Sequence, residues 1–310
     1  MKPIIVRSNH WIPGASWLLA VSLLLLVVMP SPAFAAEVDC LMCHENLAKG
    51  KVVHAAVQMG CTSCHTGIDA TDVPHKKKNK IAKGLSSMPP ELCYGCHEKK
   101  SFEGKKAVHP PVMGGLCTNC HNPHSSDIPK LLLSELPDLC YGCHDKQKFF
   151  GKALHAPVGI GLCTQCHAAH QSDHEKLLLK EPPDLCYDCH KKADFSRKNV
   201  HAPVAGGMCL SCHKPHGSDY FALLKREPVN VCFECHAGIR KKAHAIVGML
   251  ESGHPLGVPK KGKKPVEDPA RPGKRFYCGS CHNPHTSDNP SLFRYEARRG
   301  MELCLNCHKK

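Results

Sequence analysis

The chain has 310 residues, a formal net charge of +14 at pH 7 and an aromatic content of only 5%. So few large apolar side chains exclude an ordinary protein core, and beyond residue 35 the apolar runs are short, such as Leu131-Leu132-Leu133. A basic balance usually points to nucleic acid or an anionic membrane, but here the cysteines override it.

Residues 1–35 read as a cleaved signal peptide. Lys2, Arg7 and His10 form its basic end, and residues 17–29 its apolar stretch. Pro30 and Pro32 precede the small-x-small site Ala33-Phe34-Ala35. A stretch of thirteen residues falls short of the roughly 20 that span a bilayer. The expected location is therefore periplasmic or associated with the outer membrane, with residues 36–310 as the mature domain.

From residue 40 onward every one of the 22 cysteines belongs to a Cys-x-x-Cys-His motif, eleven in all. The pairs are Cys40/Cys43, Cys61/Cys64, Cys93/Cys96, Cys117/Cys120, Cys140/Cys143 and Cys163/Cys166, then Cys186/Cys189, Cys209/Cys212, Cys232/Cys235, Cys278/Cys281 and Cys304/Cys307. This pentapeptide attaches c-type haem: two thiols form thioethers and the adjacent imidazole faces the iron. Disulfides or zinc clusters would not require a histidine after every second cysteine. Eleven covalent haems c are expected, about 25 residues each, so the haems must form the apolar interior and the chain without them should be unfolded. Each ferric haem with two ionised propionates adds about one negative charge, which nearly cancels the excess of lysine and arginine. Two lysine runs, at residues 76–80 and 260–264, read as solvated loop faces, with docking of an acidic redox partner as the alternative.

The motifs recur in two-haem units about 46 residues long: three regular units starting at Cys93, Cys140 and Cys186, a divergent one at Cys40, an expanded one at Cys232, and a lone half-unit at Cys304. Asp127, Asp173, Asp219 and Asp288 each follow a serine and read as caps of short helices. Pro89-Pro90 and Pro182-Pro183 read as helix stops before the next motif. The Lys/Pro/Gly-rich stretch within residues 250–276 reads as a surface loop and a place for partner contact. The fold class expected is mainly irregular, with short α-helices, almost no sheet and a haem stack as core.

The motifs supply the proximal iron ligands His44, His65, His97, His121, His144, His167, His190, His213, His236, His282 and His308. Ten further histidines recur at repeat positions, as sixth ligands should: His54 and His75, His109 and His124, His155 and His170, His201 and His216, His254 and His285. For the eleventh, His244 sits among apolar neighbours and is favoured over His174, which takes the place of Ile128, Tyr220 and Asn289 in the sister units. Which distal histidine serves which haem is open. Two imidazoles per iron leave no position for substrate and lower the potential relative to His/Met ligation, so no catalytic residue is expected.

Three features carry a family resemblance: the paired motifs, the intervening His155-Ala156-Pro157-Val158 and His201-Ala202-Pro203-Val204, and the trailing Cys212-His213-Lys214-Pro215-His216 and Cys281-His282-Asn283-Pro284-His285. The chain resembles the doubled-CXXCH multihaem cytochromes, and within them the periplasmic decahaem subunit of porin–cytochrome conduits. That resemblance implies an elongated, staggered haem chain that conducts electrons, with redox proteins as partners, among them an outer-membrane β-barrel porin and a further multihaem cytochrome. Eleven motifs and the insertion depart from the decahaem pattern. The expected function is electron transfer in the periplasm or across the outer membrane. Alternatives are a homopolymeric extracellular filament and a multihaem reductase of nitrite or sulfur oxyanions.

Overall fold

Odd-numbered and even-numbered motifs fold differently. In the computed structural model, which describes residues 38–241, 266–297 and 302–308, the odd motifs sit on single α-helical turns: Leu41–His44, Glu91–Tyr94, Asp138–Tyr141, Asp184–Tyr187, Pro228–Phe233 and Glu302–Leu305. Four of the even ones are 3₁₀ turns, Cys61–Ser63, Cys117–Asn119, Cys163–Gln165 and Cys209–Ser211, and the fifth is the helix Cys278–Cys281.

Prolines open the odd helices instead of stopping the preceding ones, contrary to the sequence reading. Pro90, Pro137 and Pro183 are N-caps, and their carbonyls accept the N–H groups of Cys93 and Tyr94, Cys140 and Tyr141, and Cys186 and Tyr187. A residue with no N–H to lose is well suited to this position. Each of these prolines packs on a glycine from the next turn of chain. At Gly161, φ is +76° and an added Cβ would lie 2.7 Å from Pro137 Cδ, so only glycine fits.

Successive units are stitched by two-residue antiparallel ribbons. Val52–Val53 pairs with Ser125–Ser126, Ala107–Val108 with Gln171–Ser172, Ala153–Leu154 with Gly217–Ser218, and Asn199–Val200 with Thr286–Ser287. Strands this short do not persist on their own; side-chain bonds reinforce them. The Ser126 hydroxyl donates to the Leu132 carbonyl at 2.6 Å and accepts the Ile128 N–H, and Ser172, Ser218 and Ser287 repeat the pattern.

The neighbouring aspartates are not helix caps. Asp127 accepts the backbone N–H of Lys51 and Asp288 that of Lys198, while Asp173 pairs with the Lys105 ammonium. They clasp the adjacent unit, because the serine one residue earlier already satisfies the local turn. Among the described residues almost no sheet is present beyond these ribbons and the hairpin Ile68–Asp69/Lys76–Lys77, in keeping with the expected fold class.

Cys40–Lys310 forms one unit, but its interior is uneven. Among the described residues the buried hydrophobic side chains, Val229, Val231, Phe233 and Phe276, all lie in the C-terminal unit. Buried residues of the regular units are instead small or polar, such as Ser125, Gln171, Ser172 and Ser218. The part of the insertion that is described, residues 266–276, is not a loose loop. Glu267 and Arg275 form a β-bridge, Phe276 is buried, and the fully buried Asp268 carboxylate holds Arg271 at 2.6 Å. No described helix is long and apolar enough to cross a membrane. The signal-peptide reading and most of the insertion fall outside the described residues.

Candidate haem-binding site

The histidines meet in facing pairs. Nine imidazole pairs have ring centres 5.9–6.2 Å apart: His44·His75, His65·His124, His97·His54, His121·His170, His144·His109, His167·His216, His190·His155, His213·His285 and His236·His201. Each joins one motif histidine to one repeat-position histidine. Two imidazoles bound to a single metal from opposite sides, with metal–nitrogen bonds of about 2.0 Å, hold their ring centres about 6 Å apart. The spacing thus fits an iron between each pair.

The tautomers fit as well. Nδ1 of His65, His121, His167, His213 and His282 lies 2.7–2.9 Å from the carbonyls of Lys83, Lys130, Lys176, Ala222 and Ser291. Among the distal set, His54, His75, His109, His155 and His201 bond the carbonyls of Pro123, Asp72, Ala169, Pro215 and Pro284 in the same way. A carbonyl only accepts, so Nδ1 carries the proton and Nε2 keeps its lone pair for a metal.

The carbonyls that orient the even motifs come from an unusual turn. Lys130 and Leu131 both have positive φ, +61° and +58°, as do Lys176–Leu177, Ala222–Leu223 and Ser291–Leu292. The first carbonyl of each pair meets the motif histidine; the second accepts the N–H of the residue after it, for example Asn122 N–H to Leu131 at 2.8 Å. Left-handed backbone costs about 1–2 kcal/mol per non-glycine residue. Here that strain is spent at the site, where it aims two acceptors at the motif.

The distal histidines of the even motifs are held by burial. His124, His170, His216 and His285 have pKa values lowered chiefly by desolvation, with a smaller push from neighbouring histidines and cations. Burial therefore keeps them neutral, the state a metal needs.

Two alternating contacts connect consecutive motifs. Cys93 lies against Cys117, Cys140 against Cys163 and Cys186 against Cys209; in each case burial, reinforced by the neighbouring thiol, lifts the first thiol to about 11. Cys232 and Cys278 meet in the same way, through a hydrogen bond between their thiols. Between these couples the second cysteines approach: Cys120 feels Cys143, Cys166 feels Cys189, Cys212 feels Cys235 and Cys281 feels Cys307. Cys64 likewise adds to the rise of Cys93. From Cys64 to Cys307 the attachment points therefore follow one another in chain order. The motifs from Cys93 on share one continuous cavity of about 4520 Å³, lined by most of their cysteines and histidines and by apolar residues such as Val112, Leu132, Val158 and Leu178.

The attachment thiols differ in how much polypeptide covers them. Cys43, Cys96, Cys143, Cys189 and Cys235, the second cysteines of five odd motifs, are exposed, whereas their first cysteines and both thiols of every even motif are half-buried. Cys143, Cys189 and Cys235 still border the cavity, but Cys43 and Cys96 do not. Cys96, Cys143, Cys189 and Cys235 follow just past the end of their helical turns, whereas Cys43 lies within Leu41–His44. The first cysteine of a regular unit instead meets the thiol of the next motif. Exposure leaves Cys43 and Cys96 within their complete motifs, one residue before His44 and His97, whose rings face His75 and His54.

Among the described residues, no group of three or more His, Cys, Asp and Glu side chains could hold a bare metal ion. Facing pairs supply two ligands each, and the remaining four positions around an iron belong to a macrocycle. The family model of the doubled CXXCH motif matches residues 54–102, 109–149, 155–195, 201–241 and 268–310, and the chain belongs to that family. Its five matches enclose ten motifs; Cys40–His44 precedes the first. The protein is thus a multihaem c-type cytochrome, with covalently bound haem and a role in electron transfer. A search of curated proteins found no match.

His174, the weaker candidate ligand, faces no second imidazole among the described residues. Its Nδ1 meets Glu181 Oε1 at 3.2 Å on a partly exposed surface. His244 and His254 lie outside the described residues. The sequence reading missed the left-handed pairs, the serine latches and the assignment of His75 to the first motif. The recurring Ser-x-x-x-Lys/Ala/Ser-Leu pattern around them is the signal that could have revealed the first two.

Proposed function

We propose that the chain carries eleven haems c, each with two axial histidines, and passes electrons from haem to haem along the order of its motifs. The observation that carries this reading is the set of nine facing imidazole pairs at 5.9–6.2 Å, each with one motif histidine. In the repeat, an even motif takes its second histidine from the following unit, as His167 takes His216. An odd motif takes it from the preceding one, as His190 takes His155. The first motif has no preceding unit and uses His75 of its own. By the same rule the last motif, at His308, takes His254, which leaves His244 for His282.

Filling both axial positions with imidazole leaves none for substrate, which favours a carrier over a reductase. Export by residues 1–35 places the protein in the periplasm or at the outer membrane. There its partners are redox proteins, with a β-barrel porin and a second multihaem cytochrome as the counterparts implied by the resemblance. Nothing in this reading calls for nucleic acid. Intact mass of the mature holoprotein tests the haem count, and magnetic circular dichroism tests the ligation. Eleven haems, all low-spin bis-histidine, are expected; a high-spin ferric haem that binds nitrite or cyanide would overturn the carrier reading. Co-purification from native membranes tests the porin partner against a homopolymeric filament.

A further inference from the structure

The facing imidazoles fall into two geometries. At His97·His54, His144·His109, His190·His155 and His236·His201 the ring planes lie 8–21° apart. At His121·His170, His167·His216 and His213·His285 they are turned by 32–40°. Each tilted pair of this repeat series has a phenylalanine against its distal ring. Phe102 is 5.1 Å from His170, Phe149 is 5.0 Å from His216 and Phe195 is 5.2 Å from His285, all at 57–64° to the imidazole plane.

One pair of the same series lacks the phenylalanine. His65·His124 has the same sequence relation, but six residues before His54, where Phe149 precedes His155 and Phe195 precedes His201, the chain has Ala48. Its rings are 14° apart. The molecule thus contains its own control: three pairs with phenylalanine are tilted and the one without it is near parallel. His44·His75, also tilted at 42°, takes its second ring from a hairpin of its own unit and stands outside this relation.

The phenylalanines are themselves fixed. Tyr94, Tyr141 and Tyr187 back them at 5.9–6.1 Å, and Lys99, Lys146 and Lys192 lie over those tyrosines at 5.4–5.7 Å. In the first unit Leu41 takes the place of the tyrosine. Phe102 and Phe149 also stand edge-on to the odd-motif rings His97 and His144 at 6.3 Å. A ring wedged between ligands of two successive motifs restricts how either imidazole can turn.

We propose that Phe102, Phe149 and Phe195 are positioning residues that turn the distal imidazole of alternate haems, giving the chain two classes of haem in alternation. The angle between two axial imidazole planes sets the splitting of the iron d orbitals. The two classes therefore differ in ferric spectrum and in potential, through ligand orientation with no change of ligand identity. The proposal rests on the axial-ligand reading above.

The test is low-temperature electron paramagnetic resonance of the oxidised holoprotein. In Phe149→Ala, or Phe149→Leu if the alanine variant matures poorly, one low-spin signal should leave the tilted class and join the near-parallel class of the His65·His124 pair. Phe149→Tyr should leave it in place. Ala48→Phe should move one signal the opposite way. If full haem content is retained and neither Phe149→Ala nor Ala48→Phe moves a signal, the proposal is overturned while the ligand reading stands. His216→Met separates the two: if it too leaves every haem unchanged, His216 is not a ligand and the reading itself fails.

Discussion

The regular units and the C-terminal unit solve the same problem in different ways. Between Cys93 and His216 no hydrophobic side chain is buried among the described residues, and the apolar ones line the haem cavity. After residue 226 the chain assembles a small core from Val229, Val231, Phe233 and Phe276, and sets beside it the ion pairs Asp268–Arg271, with its carboxylate buried, and Glu227–Arg275, partly buried. A unit that repeats can leave its interior to the cofactor and its edges to its neighbours. In the C-terminal unit protein side chains supply the packing instead.

Removing the haem should break the comparison most sharply. Expressed without haem attachment, the chain should lose the regular units altogether, because about 25 residues per haem bury too little apolar surface of their own. Limited proteolysis should cut throughout residues 93–216 before the C-terminal unit, and far-ultraviolet circular dichroism should report loss of the regular units' helical turns. Equal protection of both regions would show that the regular units have a core of their own.

Next in size is the buried ion pair. Asp268→Ala leaves the Arg271 guanidinium without its carboxylate, and should destabilise the C-terminal unit by about 3 kcal/mol in denaturant unfolding. The same carboxylate gives a pH signature. Burial works to raise its pKa, but hydrogen bonds from Ser280, Arg271 and the Ala270 N–H, with the guanidinium charge, outweigh it and hold it below 3.8. A depressed carboxyl stabilises the fold above the unfolded value and loses that contribution as pH falls through the folded one. Unfolding of the C-terminal unit should therefore steepen below about pH 4 in the wild type and less so in Asp268→Asn.

Gly161→Ala probes the regular units. It forces a Cβ into the Pro137 ring at positive φ and should cost about 2 kcal/mol, measured as a lower midpoint of thermal unfolding. The smallest effect is expected at the surface. Lys105→Ala removes an exposed ion pair with Asp173 across two units and should change stability by less than about 0.5 kcal/mol.

Attachment chemistry was the most legible part of this chain, because thiol and imidazole spacing is local: five consecutive residues specify each haem site. Burial of the thiols was not legible, since Cys96 and Cys120 hold the same place in the pentapeptide and only the fold leaves the first exposed and the second half-buried. The histidines that face the motif histidines were legible as a set, since His109, His155 and His201 recur at one repeat position, and His124, His170 and His216 at another. Their partners were not. His65 meets His124 across 59 residues, and the register depends on ribbons of two residues that no alternation pattern announces. Asp127 resembled a cap because it stands beside a serine before a turn, yet its acceptor is used by Lys51 of the previous unit. Lys130 and Leu131 gave no local hint of left-handed backbone, since neither is glycine; hydrogen bonds to His121 and Asn122 stabilise a conformation that propensity disfavours.

The crossed pairing of ligands between units is the central claim, and an anomalous-difference map of the crystallised holoprotein at the iron edge tests it most directly. The account predicts one iron midway between His167 and His216 and another midway between His190 and His155. An iron bound by His167 and His155, or any regular unit whose two irons use only histidines of that same unit, would contradict it.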